Sequence, residues 1–382
     1  MHKLWGRLPL REVIAPAIAL AKRGLPQDWF TTLKIGFSAS VLRKYQESAR
    51  IYLPDGLPPV PPYQGSPGFF RLGALADTLE QLGRGGLRDQ YEGEVAAGIV
   101  ADVRDMGGVL SAEDLRLCQA RVMPAMPLPW RDHVVQTAGG LTAAPTMRRV
   151  LEQMESLSPR HEPDAAWFVA LARALKRAYA ERLAGLGDAD SNASETCTTH
   201  LTVCDADGTM VALTTTLLSS MGSRVVLPKT GILMNNGVMW FDPRPGQPNS
   251  IAGGKRPLTN MSPVIIRDAG RPWMAAGASG GRRILASVLQ MMAFVMDFGM
   301  DPEAAAHHPR IDVSSPDTVS VDWRMPSSIV EALAADGPLQ VVEHGVMPIN
   351  FACPNGIVRR SDGNGIGISD VGSPWSGAVA QQ

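Results

Sequence analysis

Cysteine is scarce in this chain: four residues in 382, at positions 118, 197, 204 and 353, with no Cys-x-x-Cys spacing. Such scatter excludes a disulfide framework and a thiolate zinc site, and it predicts free thiols in a reducing compartment. Net charge is nearly absent as well, with 36 Lys and Arg against 37 Asp and Glu and a formal charge of -1. A balance of that kind leaves no electrostatic footprint for nucleic acid or an anionic membrane. The basic pairs Arg282-Arg283 and Arg359-Arg360 extend no stripe along a face. Long apolar runs are missing too. The most apolar stretch, Ile284 to Met300, is too short to span a bilayer and carries Gln290 and Asp297, so it predicts a buried core helix. The opening residues, Met1 to Arg7, lead into an amphipathic helix pattern rather than an apolar signal core. The expectation is a cytoplasmic protein with no nucleic-acid or membrane partner. No cofactor motif is present. His307-His308-Pro309-Arg310 sits at a helix end, where cations complement the dipole, and lacks the spacing of a metal site.

What is present is ordinary for a globular chain: 45% hydrophobic residues, 38 Gly and 30 Pro. The length suffices for one large domain or two medium ones. Apolar spacing predicts helices over Leu10–Arg23, Leu72–Leu82, Tyr91–Met106, Pro145–Met154 and Ala165–Leu186. The Pro/Gly-rich stretch 54–67 predicts a loop, and Ser111 to Asp114 has the form of a helix-capping arrangement. One strand is expected near His133–Gln136. After residue 185 the character changes: Gly185–Cys197 reads as an exposed loop, followed by strand signals. Thr199–Asp205 and Met210–Thr216 alternate around the turn at Asp205–Gly208, which predicts a β-hairpin. Strand-like pieces follow at Arg224–Leu227 and Ile232–Met234, and a second hairpin pairs Pro263–Arg267 with Pro272–Ala276. That strand runs through Gly277-Ala278-Ser279-Gly280-Gly281 into the apolar helix, and Gly363–Gly367 reads as a turn. Helices first and strands later predict an α+β layered architecture.

Thr198-Thr199-His200 is bland by itself, because threonine is at home on any strand. Its setting is not, since Thr198 stands where a loop meets a hairpin and Gly280-Gly281 stands at a strand-to-helix turn. Thr198 to Gly208 resembles the start of the small subunit of gamma-glutamyltransferases. So do Lys229 to Asn236, Gly254 to Leu258 with Met261-Ser262-Pro263, and Gly277 to Arg283. Leu8 to Ala21, Tyr91-Glu92-Gly93 and Gly107 to Leu115 resemble the large subunit.

The resemblance covers nearly the whole chain. It implies a four-layer αββα sandwich, with 1–197 as the large-subunit-like region and 198–382 as the small-subunit-like region. It implies self-cleavage between Cys197 and Thr198, after which Thr198 is the nucleophile and Thr216 contacts it. Gly280 and Gly281 then supply the oxyanion-hole N–H groups. The implied activity is that of an amidohydrolase or acyltransferase on γ-glutamyl or related small-molecule acyl amides. The two fragments would form a heterodimer, and a homodimer is a further expectation. A threonine hydroxyl needs an adjacent base, and a freed α-amine of ordinary pKa about 7.7–8.0 suits that role.

Where the family holds the glutamyl ammonium and carboxylate with Asn, Gln, Asp and two serines, the matching positions here read Leu218, Gly237, Trp240, Thr259 and Asn260. An indole facing an ammonium would leave it unpaired. Trp240 therefore packs on a bulkier or less charged acyl group, or is a structural tryptophan. By the same resemblance the chain begins inside the family's large subunit and its loop before Thr198 is short. The missing layers would expose apolar surface. The other reading is a pseudoenzyme, a binding or structural protein that keeps the fold without catalysis. A phosphate-cradling turn at Gly277–Gly281 has no nucleotide motif beside it.

Overall fold

The computed structural model describes residues 1–158, 161–186, 197–315, 317–346 and 349–380. The chain divides into two compact units, one of residues 1–122 with 219–236 and one of residues 123–218 with 237–382. A cut before Thr198 would be a covalent division inside the second unit and is independent of this packing.

The first unit is helical. It contains α1 (His2–Trp5), α2 (Leu10–Arg23), α3 (Trp29–Leu42), α4 (Gln46–Tyr52), α5 (Leu75–Gly85), α6 (Asp89–Glu92), α7 (Glu94–Asp105) and α8 (Ala112–Leu117). Two short strands, β1 (Leu25–Pro26) and β2 (Phe69–Phe70), pair antiparallel. The helix expected over Tyr91–Met106 is broken into α6 and α7 at Gly93, whose extended backbone cannot continue a helix. α5 begins three residues later than its apolar spacing suggested, after a turn in which Leu75 N–H bonds Leu72 O. Within the 54–67 loop, Pro54–Gly56 makes a single 3-10 turn. Ser111 and Asp114 form a reciprocal capping box at the start of α8, as their spacing predicted.

Residues 219–236 thread through this unit. Val226 N–H bonds Ser48 Oγ, Lys229 N–H bonds the buried Asp102, and Thr78 Oγ donates to Thr230 O. The strands expected at Arg224–Leu227 and Ile232–Met234 therefore do not form. A single antiparallel bridge joins Val226 to Leu233: Leu227 N–H bonds Ile232 O and Met234 N–H bonds Val225 O, but Arg224, Val225 and Val226 send their N–H groups to Met221 O, Ser223 Oγ and Ser48 Oγ.

The second unit is built on a six-stranded sheet in the order β13-β12-β8-β7-β4-β3. Its strands are β3 (Met126–Trp130), β4 (His133–Thr137), β7 (Val264–Asp268), β8 (Arg271–Ser279), β12 (Cys353–Arg359) and β13 (Gly365–Ser369). All neighbouring pairs are antiparallel. The turn expected at Gly363–Gly367 is narrower, since β13 already starts at Gly365 and pairs with Arg359.

A separate hairpin, β5 (Cys197–Cys204) with β6 (Met210–Leu218), packs across β8 and β12. Helices α9 (Ala144–Met154), α10 (Ala165–Leu186) and α11 (Ile284–Met296) share one core with the large sheet, and α10 also meets α13 (Ser327–Asp336). Completing the unit are α12 (Pro302–His307) and a small sheet of β9 (Ile311–Asp312), β10 (Val319–Asp322) and β11 (Leu339–Val342). The loop expected at Gly185–Cys197 lies largely outside the described residues; Gly185 and Leu186 are the last turn of α10, and Cys197 opens β5.

α11 is apolar on every side, and twelve of its residues are buried, as a core helix requires. Its one amide side chain, Gln290, is fully buried yet satisfied. It donates to Ala286 O and Ile311 O and accepts from Ile311 N–H. Two stacked sheets with helices on the large sheet place this chain in the expected α+β class.

Candidate active site

Thr198 lies one residue into β5, directly opposite Thr216 on β6. Their hydroxyl oxygens are 3.1 Å apart. The pair is framed by a β-bulge: Cys197 pairs with Leu218 while Thr198 pairs with Thr216, so Leu217 is the extra residue. Leu218 takes up the bend with φ 76°, and its N–H donates to Thr216 Oγ1 at 2.9 Å. A positive φ at a branched apolar residue is costly. Here it holds the Thr216 hydroxyl toward Thr198. Leu218 is a candidate residue by sequence, and the structure gives it a backbone role, with its side chain buried.

The direction of the hairpin over the large sheet fixes what Thr198 meets. His200 O accepts from Asn355 Nδ2 at 2.7 Å, and Asn355 pairs with Gly277. Farther along, Ala206 O lies 3.4 Å from Arg359 Nη2. β5 therefore runs in the same sense as β12. Thr198, two residues before His200, lies toward the end where Cys353 pairs with Ser279 and β8 turns through Gly280 and Gly281. The turn requires glycine: Gly280 has φ 142° and Gly281 φ 62°, and a Cβ at Gly280 would stand 2.6 Å from Ala352 Cα. A 3-10 turn at Gly281–Arg283 then leads into α11, and the leading N–H groups of such a turn have no acceptor within it.

Thr259 and Asn260 arrive at the same end. They precede β7, whose Val264 pairs with Ala276 on β8 and with Thr137 on β4. Thr259 bonds Leu141 O through both its N–H (2.8 Å) and its hydroxyl (3.1 Å). The buried Arg182 of α10 donates to Thr259 O, Thr142 O and Thr146 Oγ1. Asn260 is buried. Gly237 and Trp240 form a 3-10 turn clipped to this segment by Asn249, which donates to Trp240 O at 2.6 Å and accepts from Leu258 N–H at 3.0 Å. Trp240 is half-buried rather than enclosed.

His200 was not singled out by sequence, although its i+2 spacing from Thr198 places both on one strand face. Its ring lies between the sheets, seated on Gly277, where a Cβ would come within 2.2 Å of it. Nδ1 is 2.8 Å from Thr214 Oγ1, and burial pushes its pKa down to about 4, so the ring is neutral at pH 7. α12 ends at His307, so the run does sit at a helix end, but the residues that follow are used for packing and pairing. His308 stacks on Phe168 and lies tilted against Phe294, with its pKa lowered by burial, and Arg310 is committed to the buried Asp370.

The gamma-glutamyltranspeptidase family model matches residues 1–197 and 189–372. The chain belongs to this family. It is 28% identical over 388 residues to the glutathione hydrolase proenzyme of Escherichia coli (strain K12), covering 87% of this chain and 66% of that protein. It is also 28% identical over 411 residues to the acylase ACY 1 proenzyme of Pseudomonas sp. (strain SE83), covering 96% and 72%. The chain thus spans about two thirds of the length of these relatives. In fold it matches the cephalosporin acylase of Bacillus halodurans with a TM-score of 0.84 over 98% of this chain and 74% of that one, at 23% identity.

Proposed function

We propose that this chain is a self-cleaving N-terminal-nucleophile amidohydrolase or acyltransferase acting on small acyl amides. The observation that carries the reading is the Thr198–Thr216 hydroxyl pair, 3.1 Å apart, at the end of the sandwich where the Gly280–Gly281 turn lies.

The structure is that of the uncleaved chain, with Cys197 and Thr198 consecutive in β5. In the first step Thr198 Oγ attacks the Cys197 carbonyl carbon. The C–N bond breaks, the nitrogen takes up a proton as the Thr198 α-amine, and an ester remains. Water hydrolyses that ester and leaves Cys197 as a carboxylate terminus. The freed amine then accepts the Thr198 hydroxyl proton as the oxygen attacks a substrate carbonyl. The N–H groups of Gly280 and Gly281 receive the oxyanion, each worth roughly 3–4 kcal/mol at the transition state. Collapse expels the amine and leaves an acyl-enzyme, which water or a second amine resolves.

Trp240, Leu218 and Gly237 offer no charge to an α-ammonium, whereas Thr259 and Asn260 keep hydrogen-bonding capacity. The acyl group is therefore a chain without a free α-amino group, or one bulkier than glutamyl. That relatives of similar identity include an acylase proenzyme as well as glutathione hydrolases supports this choice. After cleavage the two fragments stay together as a heterodimer, and two such heterodimers pair where apolar surface remains uncovered.

The test is a panel of chromogenic amides on wild type and Thr198→Ala, comparing γ-glutamyl with glutaryl anilide, the same acyl chain lacking its amino group. Glutaryl turnover above γ-glutamyl, abolished in the variant, is the expected result. Equal turnover by the two proteins removes Thr198 as the nucleophile.

A further inference from the structure

Behind the Gly280–Gly281 turn lies a buried polar node that the reaction above does not use. Asp370, fully buried, pairs with Arg310 Nη2 at 2.6 Å, and His344 Nε2 sits 3.1 Å and 3.3 Å from its two oxygens. The Arg310 and His344 side chains are each 3% exposed. Arg310 already matches the Asp370 charge, so the imidazole is not required for neutrality. It also brings a cost, because Nδ1 is buried without a hydrogen-bond partner among the described residues. An orphaned buried polar atom is destabilising, because it has given up its bonds to water and gained none in return. An apolar side chain would fill the space without that cost.

The ring is held on its other sides by shape. A Cβ on Gly372 would lie 2.5 Å from His344 Cδ2 and Nε2, so the imidazole occupies a notch that only glycine leaves. Phe351 meets the ring edge-to-face at 5.3 Å and 83°. The next residue, Ala352, is the one whose Cα and Cβ abut Gly280. Arg283, at the far end of the same turn, donates to Ile349 O at 2.7 Å. Asp370 N–H bonds Pro354 O at 3.0 Å, which ties the node to the start of β12 beside Ser279.

We propose that His344 is a positioning residue: seated in the Gly372 notch, it props the Phe351–Ala352 shelf that sets the Gly280–Gly281 turn. The catalytic part of this statement rests on the oxyanion reading of that turn; the mechanical part does not.

Hydrogen exchange read by mass spectrometry on the intact precursor tests the mechanical part without any turnover. In His344→Ala, amides of residues 279–283 are expected to exchange about tenfold faster or more, while the middle of α11 keeps its wild-type rate. Gly372→Ala, which pushes the ring out, should do the same. The double variant should be no worse than either single one, because the clash has gone. In the processed enzyme, kcat should fall roughly 10- to 100-fold in His344→Ala with KM within about threefold. His344→Gln, which keeps a donor within reach of Asp370, should restore part of it. Faster exchange confined to residues around 344, or additive losses in the double variant, overturns the proposal. Exchange as expected in a protein with no amide turnover supports the prop and instead sinks the oxyanion reading.

Discussion

At the scale of single residues, the candidate site is built on two hydroxyls and one neutral imidazole. Thr216 Oγ1 receives the Leu218 N–H and faces Thr198 Oγ1. Thr216→Val keeps the shape and removes the oxygen. Self-cleavage and amide turnover should each fall roughly 100-fold or more, while Thr216→Ser stays within about tenfold of wild type. A gel time course and initial rates decide it, and a fully active valine variant would remove Thr216 from the site. His200 gives a pH prediction. Its folded pKa, about 4, lies below the ordinary value of 6.5 because burial disfavours the charged ring. The stability this neutral ring supports is fully present above pH 6.5 and is lost as pH falls toward 4. The loss is about 3 kcal/mol on linkage grounds. Asp297 and Asp312, whose pKa values burial raises, act in the opposite direction as pH falls. The quantity to measure is therefore the difference between wild type and His200→Gln in urea melts at pH 7 and pH 4.5. A wild type that loses no more stability than the variant contradicts the assignment.

At the scale of elements, the hairpin and the large sheet are kept in register by close approach. Gly277 lets His200 sit on β8, and Asn355 bonds the His200 carbonyl and approaches the Thr202 hydroxyl. Gly277→Ala puts a methyl into the ring. Overpacking of that kind costs about 1–3 kcal/mol and lifts the hairpin, and self-cleavage is expected to slow about tenfold or more. Unchanged cleavage kinetics in a folded variant would show that hairpin spacing does not govern Thr198.

This is also the scale at which the sequence was most and least readable. α10, the hairpin β5–β6 and the pair β7–β8 follow directly from apolar periodicity and turn residues, because local pattern and tertiary demand agree there. Arg224–Leu227 alternates like a strand, yet the N–H groups of Arg224, Val225 and Val226 go to Met221 O, Ser223 Oγ and Ser48 Oγ, which no local pattern shows. Thr198, Thr216 and the two glycines were singled out as candidates through motif order, and the hairpin register sets the two threonines opposite one another. The αL bend at Leu218, the Asn249 clip and the His344 node were not, since each is defined by a partner distant in sequence or by a backbone angle.

At the scale of the whole molecule, a cut before Thr198 divides the chain without dividing its core. β4, ahead of the cut, is hydrogen-bonded to β7, behind it, over five residue pairs, and α9 and α10 share a core with α11. Separating the pieces would unzip the sheet and expose that core. The fragments, each about half of the 40.9 kDa chain, should therefore co-elute in native size exclusion and part only in denaturant. Two native peaks of half mass would contradict the shared sheet. The most direct measurement is N-terminal sequencing of purified protein after incubation at neutral pH. A second terminus reading Thr-Thr-His-Leu, growing with time and missing in Thr198→Ala, is the predicted result. Amide turnover by a chain whose one N-terminus remains Met1 would contradict the account.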